Sequence, residues 1–506
     1  MVPELARVVP ADEYNQTLLE NVHPSVWTNP APSGKYNLVV IGAGTAGLVS
    51  AAGAAGLGAK VALIEKQFLG GDCLNYGCVP SKALIRAARV AQTVREASQY
   101  GVHVSGGFRI DFGQAMERMR RLRSEISEHD SAQRFRSLGV DVFLGEGRFT
   151  GRSSLEVEGQ KLEFSRAIIA TGARAAHPAI PGLTEAGFLT NETVFSLTEL
   201  PRRLCVIGAG PIGCEMAQAF RRLGSEVCII THGTSLLPKE DRDAAAIIHK
   251  RFEQEGIEIV LGARIARVEA IGGSRQVVLE KNAGEERVVS DQILVAIGRT
   301  PNVEGLNLEA AGIAYDQREV RVDDHLRTTN SRVYAAGDIC SRFKFTHAAD
   351  AMARLALRNA LFFGRGKTSS LVIPWCTFTD PEVAHVGLDL DEAGKRGHNV
   401  VTHTVNLAEV DRAVLDGATD GFARVHVDKK SGKILGATLI SEHAGETISE
   451  FVLAMGQGIP LSAFSSTIHP YPTQAEAVKR LGDLSMRARL KPWVRKVFTA
   501  YFKIWR

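Results

Sequence analysis

Leu38-Val39-Val40-Ile41-Gly42-Ala43-Gly44-Thr45-Ala46-Gly47 is the stretch on which the fold turns. A short apolar run meets glycines at 42, 44 and 47, the order expected for a strand, a tight turn and a helix. A second apolar run, Val61 to Ile64, ends at Glu65. Such glycines let backbone approach a pyrophosphate at a helix N-terminus, and the carboxylate can bind ribose hydroxyls. Strands, turn and acid at this spacing predict a dinucleotide site in a Rossmann-like α/β fold. Residues 38–59 carry no charge and are long enough to cross a bilayer. Their six glycines (42, 44, 47, 53, 56 and 58) favour strand, turn and small-residue helix instead.

A second copy of the pattern starts at Leu204 and runs through Gly208, Gly210 and Gly213 to Glu215. Its next strand, Val227 to Ile230, ends at Thr231-His232 rather than at an acid. Loss of the acid removes repulsion against a 2′-phosphate, with His232 and Lys239 as candidate phosphate partners. A neutral Thr231 also suits a site that takes either nicotinamide coenzyme, so NADPH is favoured only slightly.

Between the two turns lies Gly70-Gly71-Asp72-Cys73-Leu74-Asn75-Tyr76-Gly77-Cys78-Val79-Pro80-Ser81-Lys82. In one ideal helix, positions five apart are roughly 8 to 9 Å distant and on different faces. A disulfide needs Cα atoms within about 7 Å. Bonding Cys73 to Cys78 therefore requires a distorted backbone, which Gly77 allows. Pro80 suits the first turn of a helix, predicted to start near it, and the helix dipole stabilises a thiolate there. The pair reads as a disulfide that opens and closes. Two dinucleotide sites flanking it imply an electron relay: one holds a flavin, the other delivers hydride, and the flavin reduces the sulfurs.

Composition agrees. The chain of 506 residues is 45% hydrophobic and 23% charged, ordinary for a soluble globular protein of several domains. A net charge of +4 is too small to imply nucleic acid binding. Cys205, Cys214, Cys228, Cys340 and Cys376 show no metal spacing, so no metal site is expected. Few cysteines and no secretory signal pattern point to a reducing, cytoplasmic compartment.

Further motifs follow in order: Ala170-Thr171-Gly172, Val295-Ala-Ile-Gly298-Arg-Thr-Pro301, Ala336-Gly337-Asp338 and Phe378-Thr-Asp-Pro-Glu-Val383. With these, the chain resembles the flavoprotein disulfide reductases, a group that includes dihydrolipoamide dehydrogenase, glutathione reductase and mercuric ion reductase. The likeness covers about residues 36–484. It implies an FAD domain at 36–185 and 322–371, an inserted NAD(P) domain at 186–321, and an α+β dimerisation domain at 372–484 that makes a homodimer. It also implies that Gly42, Gly44, Gly47, Glu65, Lys66, Lys82, Thr171, Gly172, Asp338, Phe345, Thr346 and His347 line the FAD site. Ala46, Gly71, Asp72, Gly147 and Ala173 join these cofactor-binding residues, as do Gly208, Gly210, Gly213, Glu215, Thr231, His232 and Gly298. Cys78 would be the thiol beside the flavin, making the charge-transfer contact, and Cys73 the thiol that exchanges with substrate. Lys82 and Glu215 resemble the ion pair near the flavin's reactive nitrogen, where a cation stabilises negative charge on reduced flavin.

The chain departs from the thiol-substrate members at Ile468-His469-Pro470-Tyr471-Pro472-Thr473-Gln474-Ala475-Glu476. Five places before Glu476 those members carry an acid–base histidine; here the residue is Tyr471. Tyrosine titrates near pH 10, so it donates a hydrogen bond or ligates a metal better than it accepts a proton. Mercuric ion reductases carry tyrosine at the matching place, which favours a metal-ion or other non-dithiol acceptor. They also end in a cysteine pair that receives the metal, whereas no cysteine follows Cys376 here. The alternatives are a dihydrolipoamide dehydrogenase, with His469 as substitute base, and a flavin-bound redox sensor of low turnover.

At the ends, residues 1–35 read as an arm packed on the body. The basic stretch 117–136 is interleaved with acids and reads as a solvated helix face. Residues 485–506 carry seven Lys or Arg and no acid, with Leu490, Val494, Val497, Phe498, Tyr501 and Trp505 at helical spacing. That basic amphipathic tail suits peripheral contact with an anionic membrane at its inner face, or packing on the body or a dimer partner.

Overall fold

The computed structural model describes residues 8–281, 284–488, 490 and 492–505. They form two compact units: the chain through Thr234 with Glu255–Leu371, and Ser235–Gln254 with Val372 onward.

The first unit is built on a parallel sheet in the order Val140–Leu144, Val61–Glu65, Tyr36–Ile41, Gln160–Ile169, Val333–Ala335. Leu38, Val39 and Val40 are fully buried, as expected of a parallel strand covered on both faces. Gln160–Ile169 serves twice, because its first residues also close an antiparallel hairpin with Ser154–Val157. The hairpin loop, Glu158-Gly159, has positive φ at both residues (47° and 74°), the twist a two-residue turn requires. A second parallel sheet runs Glu258–Val260, Glu226–Ile230, Arg203–Ile207, Gln292–Val295. Beside it in sequence, Arg264–Ile271, Ser274–Lys281 and Gly284–Ser290 make a three-stranded antiparallel sheet.

The second unit holds a five-stranded antiparallel sheet ordered Pro374–Thr377, Glu382–Gly387, Ile434–Ser441, Phe422–Asp428, Val400–Asn406. Val425, Leu439, Phe451, Phe464, Val478 and Leu481 share its core. Arg424 ties residues 235–254 into this unit through Asp241 and Asp243, each at 2.8 Å. Trp375 Nε1 adds a hydrogen bond to Glu240 Oε1 (2.7 Å). The α/β class with two Rossmann-like folds and a C-terminal α+β domain is the class observed.

The sulfur-bearing helix is Cys78–Glu96, with Pro80 in its first turn as expected. Its inner face is Leu84, Ile85, Ala88 and Ala91, at helical spacing. One expectation is corrected: the basic stretch is not a uniformly solvated face, because Arg120 and Arg123 of the helix Phe112–Ser127 are buried. Arg123 donates to Asn75 O (2.8 Å) and Asn15 Oδ1 (2.7 Å), and Arg120 pairs with Asp12. Their acceptors come from other elements, which the periodicity of one helix does not reveal. Asn15 lies on the arm helix Glu13–Val22, whose Leu18 and Val22 enter the core.

Among the described residues no helix is long and apolar enough to cross a membrane.

Candidate active site

The two cysteines occupy different helices. Cys73 sits in the five-residue helix Gly71–Asn75, and Cys78 opens Cys78–Glu96. Gly77 joins them because a Cβ there would stand 2.9 Å from Asp72 O. Breaking the helix between the sulfurs removes the separation that one continuous helix would impose. Cys78 Sγ lies 3.4 Å from Thr346 Oγ1, at the start of the helix Thr346–Leu361. One turn after Cys78, Lys82 Nζ meets Glu215 Oε2 at 2.8 Å; Glu215 is buried on the second glycine helix, Pro211–Leu223. The helix Cys78–Glu96 thus reaches both nucleotide folds.

The two thiols divide their protons unequally. Cys78 is lowered to about 6, first by the Cys73 thiol donating to it, then by Thr346 and the Lys82 charge, against burial. Cys73 is pushed far up by the same hydrogen bond and by burial.

Around the first turn, Gly42 has φ +97°, and a Cβ there would lie 2.4 Å from Ala170 O. Ala46 is buried on the helix Thr45–Gly56. Glu65 accepts from Ala43 N (2.6 Å) and Gln67 N (2.8 Å), and burial raises its carboxyl. Lys66 beside it is exposed. Gly71 presses on Gly44, its Cβ position being 2.6 Å from Gly44 Cα, and Gly147 packs on Ile64. Thr171 and Asn302 exchange hydrogen bonds at 2.9 Å, while Gly172 has open space beside it. Phe345 and His347 stack at 5.5 Å. These backbone-lined gaps and helix N-termini fit FAD.

Arg299 pairs with Asp72 (3.1 Å) and Asp338 (3.3 Å) and donates to the Ala173 carbonyl. Asn191 holds the other oxygen of Asp72 at 2.8 Å. Both carboxylate oxygens of Asp72 therefore have partners in the protein. Sequence reasoning missed Arg299, Asn302 and Asn191. Arg299 was readable as a charge inside the motif Val295–Pro301; Asn191 left no local signal.

In the second fold, Gly208 and Gly213 are closely packed, while nothing stands within 4 Å of the Cβ positions at Gly210 or Gly298. Thr231 Oγ1 accepts from Gly233 N (3.1 Å), and His232 is exposed. Lys239 belongs to the second unit and is exposed.

In that second unit, Tyr471 is 70% exposed and donates to Asp411 Oδ2 (2.8 Å), which raises its phenol above the ordinary value. Glu476 opens the helix Glu476–Ala488 and binds Arg480 at 2.8 Å. His469 Nε2 faces Glu450 Oε2 at 2.9 Å with its side chain 6% exposed. Among the described residues, no group of three or more His, Cys, Asp or Glu could hold a metal ion.

The family signature described as pyridine nucleotide-disulphide oxidoreductase matches residues 36–353. The chain belongs to this family. A second signature, the family's dimerisation domain, matches residues 373–481. Members of the family are FAD-dependent oxidoreductases that use a pyridine nucleotide. The chain is 37% identical to a mercuric reductase of Bacillus cereus over 445 residues, 88% of this chain and 70% of that one. It is 35% identical to a dihydrolipoyl dehydrogenase of Chlamydia muridarum, over 87% of this chain and 95% of that one. Among solved structures, a cysteine-to-serine mutant of the HOCl-induced flavoprotein disulfide reductase RclA of Escherichia coli, as a Cu(II) complex, superposes with TM-score 0.81. That pair is 29% identical and covers 89% of this chain and 100% of the other.

Proposed function

We propose that the protein oxidises NAD(P)H, NADPH slightly preferred, and passes two electrons through a Cys73–Cys78 disulfide to a soft metal ion or small electrophile. The observation that carries this reading is the break at Gly77 that places Cys73 and Cys78 on separate helices, with Thr346 at 3.4 Å from Cys78 and the Lys82–Glu215 pair one turn on. Two electrons and one proton break the S–S bond, leaving Cys78 as thiolate and Cys73 as thiol. Lys82, held by Glu215, places positive charge one turn from Cys78, and the N-terminus of Cys78–Glu96 adds to it. Gly42, Gly44, Gly47 and Glu65 would hold the dinucleotide part of FAD, with Thr171, Gly172, Asp338, Phe345, Thr346 and His347 around the remainder. When bound, FAD supplies the two-electron relay between nicotinamide and disulfide. Gly208, Gly210 and Gly213 would receive the coenzyme pyrophosphate.

Tyr471 supports the choice of acceptor. Dithiol exchange needs a base that takes a proton near neutral pH. The Tyr471 phenol, its own proton bound more tightly because of Asp411, donates a hydrogen bond but does not take that proton. His469, paired with Glu450, is the remaining candidate base and belongs to the dihydrolipoamide reading. For Hg(II), the balance is NAD(P)H oxidised to NAD(P)⁺ with release of a proton, the ion receiving both electrons. Dihydrolipoamide oxidation is the second reading, favoured by the fuller coverage of the dihydrolipoyl dehydrogenase relative.

Steady-state assays separate the two. Hg(II)-stimulated NADPH consumption is expected; lipoamide-dependent NADH formation without it would establish the second reading. Negligible turnover on both, with partner binding that changes on reduction, would indicate a redox sensor. Cys73→Ser and Cys78→Ser should each reduce turnover to background with flavin still bound, and full activity in either would remove the disulfide from the mechanism. Tyr471→His should raise lipoamide activity.

A further inference from the structure

The helix Pro492–Ile504 has no buried residue. Trp493, Val497, Phe498, Tyr501, Phe502 and Ile504 are all between 48% and 82% exposed. At about 100° per residue these side chains fall in one continuous apolar sector of roughly 200°. Arg495, Lys496, Thr499 and Lys503 fill the rest. Phe498 and Phe502 stack at 6.1 Å, and Tyr501 meets Trp505 at 5.9 Å, so the rings pack on one another rather than on a core.

Whatever covers this helix must be apolar in its depth and negative at its rim. Pairing of two tails from two copies fails on charge, because residues 485–506 carry seven cations and no acid. A bilayer with anionic head groups meets both requirements, and the helix is too short and polar to span it. We propose that residues 485–506 anchor the protein to an anionic membrane surface. The helix Pro492–Ile504 lies in the interface, its aromatic sector inserted and Arg495, Lys496 and Lys503 against lipid phosphates. The inference is independent of which acceptor the sulfurs reduce.

The test uses the full-length holoenzyme, sedimented with vesicles of phosphatidylcholine alone or mixed with phosphatidylglycerol. Binding should be at least about tenfold stronger on the anionic vesicles, fall with added salt, and shift tryptophan emission to the blue. Reversing charge with R495E, K496E and K503E together should cost about tenfold or more in binding, with flavin content and turnover unchanged. A separate Phe498→Ser, Phe502→Ser variant should lose insertion by the same emission readout. Equal binding to both vesicle types, or no binding by intact protein, would overturn the proposal. So would conversion of dimer to monomer on deleting residues 490–506, which would mean that a second copy covers the face.

Discussion

The two glycine turns begin alike and end in different surroundings. In both, the first glycine has positive φ, +97° at Gly42 and +114° at Gly208. A Cβ at either would lie 2.4 Å from a carbonyl, of Ala170 or of Ala296. In both, the third glycine is pressed onto the first, with the Cβ position at Gly47 standing 1.8 Å from Gly42 O and that at Gly213 standing 2.1 Å from Gly208 O. The middle glycine differs. Gly44 has Gly71 Cα at 3.7 Å from its Cβ position and bridges Gly70 through backbone, whereas nothing approaches that of Gly210. The ends of the next strands differ too, Glu65 being fixed by two backbone N–H groups and Thr231 capping Gly233. One turn is lidded by the segment that leads to the sulfurs; the other is open. The same local chemistry thus suits a retained cofactor in one place and a coenzyme that comes and goes in the other.

The strongest challenge to that contrast is Gly47→Ala. Its methyl has no room against backbone, so the purified protein is expected to lose essentially all flavin, read from the ratio of flavin to protein absorbance. A full flavin complement would break the assignment of the first turn. Next comes Lys82→Met, which should slow turnover about 10- to 100-fold and raise the Cys78 pKa from about 6 toward the ordinary thiol value. The sign follows from the depressed pKa: Cys78 remains thiolate above about 6 and is protonated as pH falls through that value. The acid limb of the rate profile, and the ultraviolet thiolate absorbance of reduced enzyme, should both move to higher pH in the variant. Thr231→Glu carries the acid of the first fold into the second, and should raise KM for NADPH about tenfold relative to NADH. An unchanged ratio would show that Thr231 does not face the coenzyme phosphate. Gly210→Ala should have the smallest effect on that ratio, raising KM for NADPH and NADH together, because its methyl would take up the open space through which backbone approaches the pyrophosphate common to both.

The glycine turns, their strands and the thiol pair were legible because each depends on neighbours close in sequence. Arg123 was not. It stands among alternating charges, and its burial is set by Asn75 and Asn15, remote along the chain. The helix start was legible from Pro80, which stands in the first turn, and the break just before it is made by Gly77 against Asp72. Tyr471 could be read as a weak base from its residue type; its bond to Asp411 required the fold of the second unit.

Arg123 suspends the amino-terminal helix and the helix of Cys73 from one guanidinium. A fusion tag or truncation that levers Glu13–Val22 away would therefore be felt at a sulfur far down the chain. Designers of expression vectors for this enzyme should leave that end unencumbered before interpreting a weak assay as the wrong acceptor.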